Sequence, residues 1–334
     1  MASWLMVMRS AFELILTEDL PDCAEIPPMS NAPNDTATAP TRDRAALVGV
    51  LLMLAVGVMN ATDAVIVRLL AKEVHPFVMG LTRTGFGLLA VLPLILARPA
   101  VLRTHWRFRH VLRAALKLGS LVAVFFAMAA APLADVTAIG FAAPLFVTVG
   151  AWFLLGEPPQ ALRVVAVVLG FGGVLMVLRP DWAAGFGMIP PALGYALLGA
   201  ALTAIIQLML KVMSRRDATD TLVVWNLIVS VPLAAIPAAF FWQMPTAGQW
   251  GLLALQGALG AVNQALVTRA FQLADASLVA PIDFLRLPFV AIAAFALFGE
   301  VAGWSTWAGA AIIFVATMLM AATRNRRDAQ LPGD

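Results

Sequence analysis

The chain is short of charge. Of its 334 residues only 12% are Asp, Glu, Lys or Arg, against 61% hydrophobic, and the mean hydropathy is +0.89. A soluble globular domain carries about 25% charged residues, so this chain has too little polar surface to stay dissolved in water. Cysteine is nearly absent: Cys23 stands alone, which excludes an intramolecular disulfide and any cysteine-based metal cluster. Histidine is scarce too, with His75, His105 and His110 all at predicted helix ends. No HExxH, P-loop, GxSxG or GxGxxG arrangement occurs in a fitting context. Neither enzymatic activity nor a bound cofactor or metal is expected. The net charge of +3 and pI near 9.6 would suit nucleic acid. Yet the basic residues lie between apolar runs and form no aromatic-laced patch, so no nucleic-acid partner is expected.

What the chain does have is apolar length. From Ala45 onward, runs of about 18–24 residues follow one another, each long enough to cross a hydrocarbon core of roughly 30 Å. They fall near 45–67, 77–97, 111–131, 134–155, 161–178, 190–212, 220–241, 250–272, 276–298 and 304–322. Unpaired backbone is forbidden in lipid, so such runs are helices or strands of a closed barrel. Barrel strands alternate in polarity, and VVAVVLGFGGVLMVL does not. The fold class is therefore all-α integral membrane, with ten transmembrane helices and the lipid bilayer as partner.

Residues 1–44 read as a disordered cytoplasmic tail, rich in Pro, Asn, Asp and Thr from Pro21 on. Residues 1–28 read either as a non-native extension ahead of a start at Met29 or as a mobile appendage, because their apolar stretch is broken by Arg9, Glu13, Glu18 and Asp19 and makes no clean signal peptide. Residues 323–334 form a basic cytoplasmic tail. With both ends cytoplasmic, fifteen basic residues, among them Arg103, Arg107, Arg109 and Arg113, fall on the inner side. Only Arg68, Lys72 and Arg179 fall outside, as positive-inside bias requires.

Sliding the chain along itself by 143 residues brings two halves, 45–178 and 179–322, into register. Leu112, Ala115 and Leu116 meet Leu255, Ala258 and Leu259. Leu154, Gly156 and Glu157 meet Leu297, Gly299 and Glu300. Each half has five helices, an odd number, so the second enters the membrane upside down. Two inverted five-helix repeats are a frequent plan of secondary transporters, which rock about a central site.

Polar residues inside the runs mark the candidate pathway, because a charge at the bilayer centre costs at least ~2.5–3.5 kcal/mol and normally faces protein or water. They are Asn60, Asp63, Arg83, Lys117 and Ser120 in the first half, and Gln207, Asn226, Asn263, Asp283 and Arg286 in the second. Thr203 and Gln256 are further polar residues in the sixth and eighth spans. Arg83 corresponds to Asn226 and Ser120 to Asn263, so both halves keep polar groups at matched depth. Asp63 is either a proton-coupling site or one end of an ion pair with Arg83 or Lys117. Asp283 and Arg286, three apart, suggest a self-neutralising pair. A cavity of both signs suits a zwitterion or an anion-bearing solute. Glu157 and Glu300 read as helix-end fasteners, the glycines of GFGGV (Gly170, Gly172, Gly173) as close-packing positions, and Trp242, Trp250, Trp304 and Trp307 as interfacial anchors.

The stretch APLADVTAIGFAAPLFVTVGAWFLLGEPPQALRVVAVVLGFGGVLMVL resembles the EamA family of the drug/metabolite transporter superfamily, as does ADASLVAPIDFLRLPFVAIAAFALFGE. The likeness covers about residues 45–322. It implies a ten-helix, two-repeat carrier of metabolites such as amino acids, nucleobase-like compounds or cofactors, and the SxVAP and APLFVT wording resembles carriers of S-adenosylmethionine or vitamins. The expectation is a secondary transporter, monomer or homodimer. It would move a small polar or zwitterionic metabolite across a bacterial-type inner membrane by alternating access, with protons as the candidate coupling ion. A lipid-linked flippase and a non-transporting membrane scaffold are the alternatives.

Overall fold

The computed structural model describes residues 39–104, 106–154, 159–179, 189–214, 217–273 and 281–328. The readings made for residues 1–28, Cys23, His105 and Glu157 lie outside these. Among the described residues, ten stretches are long and apolar enough to cross a membrane. The helices are α1 (Ala39–Leu70), α2 (Pro76–Ala97), α3 (Arg107–Ala130), α4 (Leu133–Gly140), α5 (Ala143–Leu154), α6 (Ala161–Leu178), α7 (Pro191–Met213), α8 (Thr219–Phe240), α9 (Ala247–Leu273), α10 (Arg286–Phe298) and α11 (Trp304–Asp328). A short 3₁₀ turn at Pro99–Leu102 joins α2 to α3.

The packing is symmetric under exchange of the halves. Helix α6 lies against α11 and α2 against α8, each pair being equivalent at the 143-residue offset. The contact of α3 with α7 has its counterpart in α9 with α1. Likewise α3 with α8 mirrors α9 with α2, and α5 with α7 mirrors α10 with α1. The bundle is two inverted repeats interleaved, each half's third span clasping the other half's first.

One expectation needs correction. The fourth and ninth spans read as single helices over 134–155 and 276–298; each is broken in the middle. At Phe141–Ala142 the α-helical ladder gives way to two tighter bonds, Phe141 N–H to Ala138 O (3.2 Å) and Ala142 N–H to Ile139 O (2.9 Å). At the equivalent place Phe284 N–H bonds Pro281 O (3.2 Å) and Leu285 N–H bonds Ile282 O (2.9 Å). A 3₁₀-type step inside a helix often marks a hinge. Pro144 and Pro288 then occupy the first turns of α5 and α10, where a missing N–H costs nothing. Phe141 and Phe284 stack on each other with centroids 4.2 Å apart and planes 20° from parallel. Equivalent residues in contact place the pseudo-twofold axis between these rings.

Small residues set the other close approaches. A Cβ on Gly173 of α6 would stand 2.7 Å from Gly309 O of α11, and one on Gly309 would stand 2.6 Å from Gly173 O. Gly170 is filled by Leu145, whereas Gly172 has nothing within 4 Å. Two of the three GFGGV glycines are thus packing positions.

Candidate functional site

Helices α1, α2, α3, α8 and α9 bring the polar residues of both halves inward. Asp63 and Arg83 form an ion pair, with Arg83 Nη1 donating to Asp63 Oδ1 at 2.6 Å and Oδ2 at 2.8 Å. Of the two partners open to Asp63 on sequence grounds, Arg83 takes it. Each keeps about a fifth of its side-chain surface open (21% for Arg83, 18% for Asp63). The guanidinium leans over the Phe125 ring at 5.8 Å and rests on Gly260, where a Cβ would come within 3.3 Å of it.

Two interhelical hydrogen bonds are symmetry mates. Ser120 on α3 meets Thr203 on α7 at 2.9 Å and donates to Gly199 O at 2.9 Å. Asn263 on α9 donates through Nδ2 to Asn60 Oδ1 on α1 at 3.3 Å. At the repeat offset Asn60 is the counterpart of Thr203, and Ser120 that of Asn263. The sequence matched Ser120 with Asn263 but missed the second correspondence, which a same-offset check of every polar residue would have found.

The second half supplies amides where the first supplies cations. Asn226 is the counterpart of Arg83, Gln256 of buried Arg113, and Gly260 of Lys117. Asn226 and Gln256 are buried, and Asn226 Oδ1, both polar atoms of the Gln256 side chain and Asn263 Oδ1 have no hydrogen-bond partner. Such orphans are uncommon in packed interiors and mark places where water or a ligand group completes the bonding. Gln207 is exposed, one turn beyond Thr203 on α7.

Asp283 and Arg286 do not form the expected pair. Among the described residues no ion pair joins them; the Arg286 guanidinium lies over the Phe141 ring at 4.5 Å, beside Gly140, and its Nε is unpartnered. The cause is the helix break. The turn at Phe284–Leu285 separates the two residues, so the three-residue spacing no longer places them on one helical face.

Lys117 is the least satisfied charge. It shares a stripe of α3 with buried His110, Arg113 and Ser120, opposite the exposed face carrying Phe108, Val111 and Ala115. It therefore points inward, yet it retains open surface. Ten residues into α3, it stands about 15 Å along the helix at ~1.5 Å per residue. Its electrostatic neighbours are Arg113 and Arg83, both of the same sign.

The EamA-like transporter family matches residues 47–179 and again 190–322. The two matches are separated by the same 143 residues at both ends. The chain belongs to the EamA-like transporter family. It is 31% identical over 301 residues to the "Riboflavin transporter" of Rhizobium johnstonii, covering 88% of this chain and 97% of that one. It is 29% identical over 264 residues to the "S-adenosylmethionine uptake transporter" of Rickettsia bellii (79% and 89% covered). It is 33% identical over 241 residues to the "Riboflavin transporter" of Vibrio cholerae (70% and 79% covered). A solved crystal structure at 20% identity superposes with a TM-score of 0.56 over 85% of this chain and 99% of that one, which shows the shared fold.

In this EamA-like chain the bundle ends are tied by charge clusters that sequence reading only partly anticipated. Glu300 binds the Arg68 guanidinium and accepts the Leu133 N–H at 3.0 Å, while Arg68 also donates to Met128 O at 2.7 Å. Glu300 is thus a fastener between α10, α1 and the start of α4. At the other end His110, fully buried, meets Asp217 at 2.9 Å, and Thr104 donates to the same carboxylate. His75, in the link between α1 and α2, stacks on Phe241 with centroids 4.0 Å apart, and burial holds its imidazole below the ordinary range.

Proposed function

We propose that this small-metabolite transporter is a secondary carrier that moves a polar or zwitterionic solute across a bacterial inner membrane by alternating access. Riboflavin and S-adenosylmethionine, named for its relatives, are the first solutes to try. In this reading both termini are cytoplasmic, and the two repeats, 45–178 and 179–322, rock about the Phe141–Phe284 axis. The broken helices act as the hinges, and the solute rests among Asn60, Asp63, Arg83, Lys117, Asn226 and Asn263. Gln207, Asp283 and Arg286 line its approach, and Ser120 ties α3 to α7 beside it. The observation that carries this reading is the meeting of equivalent residues at matched helix breaks, next to buried polar groups left unpartnered. Two inverted halves that touch at their hinges can exchange arrangements and open the same site to either side.

Asp63 is the proposed proton site. Its pairing with Arg83 leaves one cation in excess whenever it is protonated, so proton binding and solute binding act on the same guanidinium. The test is uptake by proteoliposomes of labelled riboflavin, S-adenosylmethionine, amino acids and nucleosides, with and without an imposed pH gradient. The expected result is accumulation of one of these classes, with Asp63→Asn abolishing its dependence on the gradient. Uptake of none would defeat the carrier reading and favour a flippase or scaffold, and gradient-driven uptake by Asp63→Asn would defeat the proton assignment. A reporter fused after Arg327 that worked only outside the membrane would reverse the proposed orientation.

A further inference from the structure

Between α2 and α3 and their counterparts α8 and α9, the inward positive charge is all on one side. Arg83, Arg113 and Lys117 belong to α2 and α3; their counterparts in α8 and α9 are Asn226, Gln256 and Gly260, none of them charged. Two of the three cations are already engaged. Arg83 holds both oxygens of Asp63, and Arg113 donates to the Leu222 carbonyl and feels Asp217. Lys117 is not engaged: among the described residues no carboxylate lies within ion-pair distance of it, and no hydrogen bond to it is formed. An ammonium at mid-span with open inward surface, two like charges nearby and no counter-ion is a site waiting for an anion.

We propose that the transported solute carries an oxyanion, a carboxylate or a phosphate, and that Lys117 is the side chain that binds it. This rests on the carrier reading and narrows its substrate class. The uncharged half then has a separate task. The unpartnered Oδ1 of Asn226 offers an acceptor and the unpartnered amide of Gln256 a donor and an acceptor, suited to the hydrogen-bonding edge of a neutral ring or amide. The bound solute would lie with its charged end towards α3 and its neutral polar end towards α8 and α9. A cationic group at the first of these would be repelled by Lys117, the cation left without a counter-ion.

The test is binding to purified full-length protein in a non-ionic detergent, using pairs that differ by one oxyanion: riboflavin and riboflavin 5′-phosphate, adenosine and adenosine 5′-monophosphate, an amino acid and its amide. The anionic member of at least one pair should bind about tenfold more tightly or better. Lys117→Met should erase that preference, while Lys117→Arg retains it, with both variants eluting as the same species as the parent. No preference in any pair, or one that survives Lys117→Met, overturns the proposal. Adding phosphatidylglycerol distinguishes the source of the oxyanion: a lipid headgroup would compete with the soluble anions, and competition that removes the preference also overturns it. Because binding is read without transport, the anion site can stand or fall independently of uptake in proteoliposomes.

Discussion

Phe141 and Phe284 are the same residue of two inverted halves, and their rings stack face to face at 4.2 Å. Each stands at a helix break closed by the same pair of tight backbone bonds. Phe141→Ala should lower stability by about 3–5 kcal/mol, the usual range for emptying a buried aromatic site, and Phe284→Ala, at a partly buried ring, by less. The double variant should lose less than the sum by about 0.5–1.5 kcal/mol, the worth of the ring–ring contact. Thermal melts of the four proteins in detergent measure this coupling; strict additivity would show that the rings do not act as a pair.

The Asp63–Arg83 pair makes a second cycle. Asp63→Asn leaves an unbalanced guanidinium and Arg83→Gln an unbalanced carboxylate, each inside the span. Breaking one side of a buried pair costs about 3–5 kcal/mol, whereas replacing both partners with neutral groups costs far less. The double variant should therefore melt above either single variant. If it melts below both, each residue is held mainly by other contacts.

The crossing of α6 and α11 predicts a contrast among neighbouring glycines. Gly173→Ala and Gly309→Ala drive a methyl into the facing carbonyl, at 2.7 and 2.6 Å, and should cost about 1–3 kcal/mol as overpacking. Gly172→Ala meets nothing within 4 Å and should be neutral or slightly stabilising. Equal melting temperatures for Gly172→Ala and Gly173→Ala would contradict the crossing.

His75 sets a pH dependence whose sign is fixed by its environment. Burial against Phe241 and Phe77 disfavours the imidazolium, so the folded protein binds this proton less readily than the unfolded chain. The stability it contributes is fully present above the ordinary histidine pKa of about 6.5 and is lost as pH falls below that value towards the folded one. Melting temperature should drop between pH 7.5 and pH 5.5, and His75→Phe should flatten that drop. An unchanged pH slope in His75→Phe would place the sensitivity elsewhere.

Most of the architecture was legible because lipid imposes it. Ten spans follow from apolar length, and the inverted repeat follows from one offset together with an odd helix count. The helix breaks were not legible, because a turn in mid-membrane leaves hydropathy unchanged; APLFV and LPFVA read as continuous apolar helix. The usable signals were Pro144, Pro281 and Pro288. Of the polar residues, Ser120 and Asn263 were matched by offset, and each bonds the equivalent neighbouring helix. Asp283 and Arg286 were paired by spacing alone, and spacing fails where the helix is interrupted. The His110–Asp217 contact spans 107 residues and joins different halves, a distance no local pattern reports.

Gly260 has a consequence for how far the two halves can be exchanged. It sits where a copy of Lys117 would stand, and the Arg83 guanidinium lies 3.3 Å from where a Cβ there would be. Gly260→Lys should crowd Arg83 and disturb its pairing with Asp63, so the two halves are not interchangeable at this depth. The repeats share a mould, but at this depth one carries a lysine and the other a glycine on which the first half's arginine rests. A carrier assembled from two copies of either half alone would close on itself with the wrong charges at its centre.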